Sequence, residues 1–574
     1  MSFKVALLVV LLGICSALAE YTQPSIWPQP KSFITGQEQT TVAPFMYISV
    51  NGNVKTLSDA YERTNKLIFN HAPDGDANRS RAVFRVEVDV EDNSEAYPQL
   101  TTDESYTLDI PAVGSETEVG VQVIKITAKT VYGAMYGLQS LSQLVIYDFD
   151  SDSYFIPSTP MQIEDAPRYP HRGMLLDTSR HYQPITFLQQ TVDALSYAKY
   201  NVLHWHVVDT QSFPIESKSY PKLWNGAYSS AEKYSRSDVK ALVEYARSRG
   251  VKVMIEFDMP GHAASWCAGY PEICPSSTCL QPLDPSSNTT FPLITSLLAE
   301  CTGADTSSTG ADTKSTKISR KTAPKRTSPL PSNPVSSNEQ EALFPYTLLH
   351  LGGDEVSYTC WEEDPEIVQW EADNGLDGSE GTYEYFVDRV ATIARDQART
   401  PVQWVEVFEH FGSNLDQNTV VHVWKEKTTL DGVLTAGYNA LLSNQDFWYL
   451  DHLSTTWDQM YTNEPTAGLS ATSDPALILG GESCMWAETV DPSDLHNTVW
   501  PRAAAVAEVL WTPVDVIYPN GIDTAPDLAT VEDRLETFRC LLTRRGISAA
   551  PVTNTQARYQ PKEPNSCFVQ RRRI

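Results

Sequence analysis

The chain has 574 residues, of which 41% are hydrophobic and 10% aromatic. At ~100–200 residues per domain this predicts roughly two or three units, one of which is long enough for an α/β barrel. The formal net charge of −29 argues against nucleic acid or an anionic membrane surface as the main partner, since both would repel it. The same charge suits a protein of an acidic compartment, and equally one that is acidic only for solubility.

In chain order, the N-terminus has the pattern of a secretory signal over residues 1–19. Lys4 supplies the positive end, Val5–Leu12 is a short apolar run, and Ala17-Leu18-Ala19 is a small-residue cleavage site. Neither this run nor any later stretch is long and apolar enough for a membrane span, so an exported, soluble protein is expected. Of nine Cys, Cys15 would leave with the signal. The eight others (Cys267, Cys274, Cys279, Cys301, Cys360, Cys484, Cys540 and Cys567) allow 105 pairings, and no CxxC pair suggests zinc. Asn78 and Asn288 each open an Asn-x-Ser/Thr glycosylation signal.

Residues 20–165 contain alternating strand-like runs, among them Ala82–Val90, Tyr106–Ile110 and Val121–Ala128, and a helical pattern over Tyr132–Val145. This predicts a small α+β domain, without a catalytic constellation. Over 166–574 strands alternate with helices. The expected strands are Gly173–Asp177, Asn201–Val208, Val251–Phe257, Thr347–Leu351, Val402–Phe408, Thr419–Trp424, Ala440–Ser443 and Leu477–Gly480. Helices are expected at Ile185–Lys199 and Ser237–Arg249, the latter opened by a serine cap and stopped by Gly250, with Trp500–Trp511 and Val531–Arg545 closing the domain. Eight such units imply a closed (β/α)8 TIM barrel. Residues 302–342 are rich in Ser, Thr, Pro and Lys and too poor in apolar residues to fold. They predict a disordered insertion, either a long βα loop or coding sequence wrongly included.

A barrel enzyme carries its reactive groups at the C-terminal ends of its strands. Those ends hold, in turn, Asp177 and Arg180, then His204, His206 and Asp209, then Glu256, Asp258 and His262, then His350 and Asp354-Glu355. Beyond these come Trp404 and Glu406, Trp424, Trp448 with Tyr449 and Asp451, and finally Glu482, Trp486 and Glu488. Acidic groups and indoles with a single arginine suit a neutral polyhydroxyl ligand such as a sugar. For any one Trp, barrel packing is the plain alternative.

An Asp-Glu dipeptide alone means nothing, and Asp103-Glu104 is another. The position of Asp354-Glu355 is informative, after two glycines that let the backbone turn beyond a buried strand. Adjacent carboxylates repel, so one should hold its proton more tightly, as a general acid for glycosidic cleavage must. Glu355 is assigned that role. Neighbours on a strand point to opposite faces, so the two are poorly placed to straddle a bond as acid and nucleophile. Substrate-assisted hydrolysis resolves this, with the substrate's 2-acetamido oxygen attacking C1 and Asp354 steadying the amide. The alternative role for Asp354 is capping the next helix.

His350-Leu-Gly-Gly-Asp-Glu355, Asp177-Thr-Ser-Arg-His181, His204-Trp-His206, Glu256-Phe-Asp-Met-Pro-Gly-His262 and Gly480-Gly-Glu-Ser-Cys-Met-Trp486 together resemble family 20 glycoside hydrolases, most of all the eukaryotic lysosomal and secreted β-hexosaminidases. The resemblance spans nearly the whole mature chain. It implies exo-hydrolysis of terminal GlcNAc or GalNAc without metal or cofactor. Arg180 would bind sugar hydroxyls, and Asp209 with His262 would support the acid. Trp404, Trp424 and Trp486 would wall the acetamido pocket, and Tyr449 would donate to its oxygen. Asp451 and Glu488 would accept from hydroxyls. It further implies disulfides Cys279–Cys360, Cys540–Cys567 and Cys267–Cys274, leaving Cys484 and Cys301 free, and a homodimer.

Some features depart from the family pattern. Thr210 stands where mammalian lysosomal members have a second Asp, and the 302–342 stretch is foreign to the pattern. Asp451-His452 resembles the β-type subunit rather than the α-type that handles anionic substrates. Two rival readings remain. His204 and His206, with Asp209 and His262, suit zinc and a metallohydrolase. The other rival, a non-catalytic sugar-binding protein, would have no need of an acid at Glu355.

Overall fold

The computed structural model describes residues 25–52, 54–71, 83–112, 122–148, 151–305 and 342–553. The signal-like leader, Asn78, Cys567 and all but the edges of the 302–342 stretch lie outside them.

The N-terminal part is a mixed sheet of β1 (Ser32–Val50), β2 (Val83–Asp92), β3 (Tyr106–Ile110), β4 (Val123–Thr130), β5 (Ile146–Asp148) and β6 (Ser153–Asp165). The strand order is β1-β2-β4-β3-β6-β5, and β1 also pairs with β6. Helices α1 (Lys55–Ile68) and α2 (Val131–Leu144) accompany it. Strand β3 alternates buried and half-buried residues, as a sheet covered on one face requires. Helix α2 opens on Thr130, whose hydroxyl accepts from Gly133 N at 3.2 Å, and it is buried on almost every side.

Eight parallel strands then close a barrel: β7 (His171–Asp177), β8 (Val202–Val208), β9 (Lys252–Phe257), β10 (Leu348–His350), β11 (Thr400–Trp404), β12 (Val420–Val423), β13 (Asn439–Leu442) and β14 (Ile478–Met485). Helices α3 (Ile185–Tyr197), α4 (Arg236–Arg247), α5 (Thr290–Thr302), α6 (Gly378–Asp396), α7 (Lys427–Thr435), α8 (Arg502–Trp511) and α9 (Leu528–Arg544) belong to this part of the chain. Ser235 and Asp238 form a reciprocal cap on α4.

All eight expected strands are found with shifted limits, and two differ most. The Val402–Phe408 pattern is strand only to Trp404, and Val405–Phe411 is a helix. Strand β14 runs well past Gly480. Glycine reads as a strand end, but a Cβ at Gly480 would lie 1.7 Å from His171 O, so this glycine marks close backbone approach within the sheet.

The two-residue period of the strands builds the barrel interior in layers. Val202, Met254, Leu348, Val402 and Val420 form an apolar floor with Tyr346, Leu441 and Leu479. Two residues further along each strand stand His204, Glu256, His350, Trp404 and His422, all buried. Beneath the floor the N-terminal sheet is locked on by buried ions. Glu104 accepts from Arg172 Nη2 at 2.6 Å and from Asn201 Nδ2 at 2.9 Å, with Lys252 Nζ at 3.4 Å. Asp165 accepts from Lys199 Nζ at 2.8 Å and from Trp511 Nε1 on α8 at 3.0 Å.

Candidate active site

The buried polar layer supports everything above it. Glu482 faces His171 Nε2 at 2.6 Å and His204 Nδ1 at 2.7 Å. Glu256 touches four partners: His206 Nδ1 at 2.6 Å, His204 Nε2 at 3.0 Å, His350 Nδ1 at 3.0 Å and Trp404 Nε1 at 2.9 Å. Burial opposes ionisation of both carboxyls, but the surrounding histidines more than offset it and hold them well below the usual range. Against the same burial, Glu482 and Glu256 raise His204 to about 9, and Glu256 with Asp209 lifts His206 well above its ordinary value. Burial wins at His171, His350 and His422, which are pushed down.

His206 passes this order upward. Its Nε2 lies 2.8 Å from Asp209 Oδ2, and the same oxygen is 2.7 Å from Arg180 Nη2. Asp209 Oδ1 is 3.1 Å from His262 Nδ1. Arg180 is further held by Asp177 Oδ2 at 3.2 Å and lies 5.1 Å over the Trp486 ring. Glu488 Oε1 stands 3.9 Å from Arg180 on the exposed side.

Strand β10 has ended before Asp354-Glu355, so the opposite-face expectation for a strand does not apply. Gly352 and Gly353 adopt φ of 66° and 102°, and Glu355 and His262 also have positive φ, at 49° and 50°. Left-handed backbone at non-glycine residues is strained, and two of the six such residues among those described, His262 and Glu355, lie at the site. The turn brings both carboxyls to one histidine. His262 Nε2 is 3.6 Å from Asp354 Oδ2 and 3.5 Å from Glu355 Oε2. Asp354 caps no helix: the next one, Thr359–Glu363, has Tyr358 at its N-cap and no side-chain cap.

The expected proton distribution is corrected here. Burial raises the Asp354 carboxyl, whereas hydrogen bonding to His262 lowers Glu355, whose side chain is 62% exposed. Repulsion between neighbours does not reach the residue that solvent and a cation both relieve.

Trp404, Tyr449, Leu175 and Cys484 form a buried cluster with Trp424 and Trp486 packed against it. Trp404 stacks on His422 with centroids 4.3 Å apart, and Tyr449 lies 6.4 Å from Trp424 and 6.2 Å from Trp486. Trp424 donates to Glu406 Oε2 at 3.0 Å. Burial lifts Asp451 to about 6. Cys267–Cys274 and Cys279–Cys360 are bonded, and the second joins the loop after β9 to the helix after Glu355. Cys301 and Cys484 are buried thiols.

The zinc set assembles only in part: His206 and His262 meet at Asp209, whereas His204 does not join them. His204 and His206 do share a strand face, but both turn to Glu256, and each His206 nitrogen already faces a carboxylate. Sequence reasoning named Asp177, Glu256, Asp258 and Glu406 at strand ends without giving them tasks, and it missed Tyr383, whose hydroxyl donates to Gly353 O from α6. Position at a strand end was the available signal for the first four. Nothing local marks Tyr383.

Carboxyls, indoles and one arginine, gathered where a barrel enzyme works, make this a glycoside hydrolase. Residues 169–514 match the glycosyl hydrolase family 20 catalytic domain, and residues 26–144 match a domain described as beta-acetyl hexosaminidase like. The chain is 38% identical to Beta-hexosaminidase 1 of Arabidopsis thaliana over 99% of both chains. It is 33% identical to the Beta-hexosaminidase subunit alpha of Rattus norvegicus, over 92% of this chain and 94% of the relative. A chitobiase structure from Flavobacterium johnsoniae superposes with a TM-score of 0.72 at 27% identity, covering 91% of this chain and 73% of that one. The chain belongs to glycosyl hydrolase family 20, as a β-N-acetylhexosaminidase. These relatives lend nothing to the metallohydrolase or non-catalytic readings.

Proposed function

We propose that the chain removes terminal, non-reducing β-linked GlcNAc and GalNAc by a retaining, substrate-assisted route. The observation that carries this is the convergence of Asp354 and Glu355 on His262 beside the indole cup. The substrate's amide supplies the nucleophile. Glu355 protonates the glycosidic oxygen as the C1–O bond breaks, and the acetamido oxygen closes onto C1 to give an oxazolinium ion. A bound sugar replaces the water around Glu355, which raises its proton affinity toward that of a working acid. Asp354, whose side chain is 14% exposed, accepts the amide N–H. The Tyr449 hydroxyl donates to the amide oxygen, and Trp404, Trp424 and Trp486 enclose the methyl group and ring. Glu355 then takes a proton from water, whose oxygen attacks C1 and reopens the ring with retention. Arg180, Asp451 and Glu488 hold the sugar hydroxyls, and Asp209 orients His262 against the acid. No metal or cofactor takes part.

Asp451-His452 favours neutral substrates; chitin oligomers, N-glycans and glycolipids all offer such ends. The leader over 1–19, the sequons at Asn78 and at exposed Asn288, and the disulfides point to the secretory pathway, ending in the lysosome or outside the cell. Among the described residues no helix is long and apolar enough to cross a membrane. The N-terminal domain is taken as 20–165, the catalytic domain as 166–574, and the assembly, by family likeness, as a homodimer. Replacing Glu355 with Gln should lower kcat on a chromogenic β-N-acetylglucosaminide by ~10²–10⁴-fold in a normally folded protein, and substrates lacking the 2-acetamido group should not turn over. Near-normal activity of Glu355→Gln refutes the assignment.

A further inference from the structure

Asp258 has no task in the steps above, yet the turn carrying the acid pair is built around it. Its side chain is buried, at 1% exposure. Gly353 N donates to its Oδ1 at 3.0 Å, and a Cβ at Gly352 would fall 1.8 Å from that same oxygen. Both glycines before Asp354 therefore serve this carboxyl, one by leaving space and one by its N–H. One oxygen of Asp258, one of Asp354 and a ring nitrogen of His262 all lie within 4.8 Å of one another.

Two buried carboxyls this close do not both ionise; the pair keeps one proton. We propose that Asp258 is a positioning residue that carries this proton and donates its hydrogen bond to Asp354. Asp354 then remains anionic, turned toward the pocket, with one oxygen left for the substrate's amide N–H. The surroundings favour this distribution. Asp258 sits deeper, beside the carboxylate of Glu256, which disfavours a second anion there. Asp354 is the member at the pocket, with His262 Nε2 3.6 Å from its Oδ2. The groups facing Asp258 are Asp354, His262, Glu256 and His206, and burial with the Asp354 charge pushes its proton affinity well up despite the two histidines. The inference rests on the proposed role of Asp354.

The test separates a neutral donor from a required anion. Asp258→Asn keeps the shape, still accepts from Gly353 N and still donates to Asp354. Asp258→Leu keeps the bulk and removes the donor. Turnover of a chromogenic β-N-acetylglucosaminide and binding of a thiazoline analogue of the cyclised intermediate are measured for both, with melting curves. Asp258→Asn should stay within about tenfold of the parent in kcat and inhibitor affinity, while Asp258→Leu loses ~100-fold or more in each. If the Leu variant does not fold, Asp258→Ala takes its place. An Asn variant as impaired as the Leu or Ala variant overturns the proposal, and so does a Leu or Ala variant with parental kinetics. Glu355→Gln and Asp354→Asn run alongside: if they stay fast, the reading of the site itself fails, whereas if they are slow the fault lies with Asp258 alone.

Discussion

Asp209→Asn tests the electrostatic core of the site most sharply. Each oxygen of Asp209 serves two donors. Oδ2 accepts from His206 Nε2 at 2.8 Å and lies 2.7 Å from Arg180 Nη2; Oδ1 takes His262 Nδ1 at 3.1 Å and the Thr210 amide. Asparagine has one acceptor oxygen, so in either orientation its NH2 group confronts two donors. A hydrogen bond to a charged group contributes ~1.5–3 kcal/mol, so losing two costs about 3–6 kcal/mol, divided between folding and the transition state. With ~3 kcal/mol falling on the latter, kcat/KM drops about 100-fold. His262 and Arg180 also lose the anion that holds them. Initial rates on a chromogenic β-N-acetylglucosaminide, with a thermal melt, measure both parts. The pH dependence has a defined sign. Burial opposes ionisation of Asp209, but His206 and His262 hold it below its usual range. It therefore contributes stability that is present above pH ~4 and lost as pH falls further, and the variant lacks this share of acid sensitivity. A variant within about threefold of the parent in kcat/KM, with an unchanged melt, would show that the site does not depend on this carboxylate.

Glu104→Gln leaves Arg172 and Lys252 buried without their anion, so it should cost ~3–5 kcal/mol and lower the melting temperature by about 3–4 °C. The surviving folded enzyme should keep its kcat; an unchanged melt contradicts the interdomain lock. Asp451, raised to about 6 by burial, becomes a better acceptor as pH rises through that value, so KM should fall across the same window and Asp451→Asn should flatten the dependence. Stability should move the other way: between pH ~4 and about 6 the folded state holds a proton the unfolded chain has released, so stability declines as pH rises. Cys279→Ser opens a loop with a sequence separation of 81 and should destabilise the fold by ~2–4 kcal/mol; identical melts with and without reductant would refute this.

The barrel was legible along the chain because its signals are local. Apolar runs such as Gly173–Asp177 and Val251–Phe257 recur with helical stretches between them, and period and capping depend on neighbours only a few residues away. The His-Leu-Gly-Gly-Asp-Glu stretch and the indoles at strand ends were visible for the same reason. Strand β1 was not anticipated, since Ser32–Val50 contains Gly36 and Pro44 and is held extended by pairing to β6 and β2. What Glu256 does depends on barrel closure, which brings His204, His206, His350 and Trp404 around one carboxylate. Asp258 reaches Gly353 from 95 residues away. Which of the two neighbouring carboxyls is shifted up and which down was likewise decided in three dimensions: Asp354 is largely enclosed and Glu355 is not. Periodicity records what each residue faces locally, whereas protonation follows desolvation and charges that only the closed ring brings together.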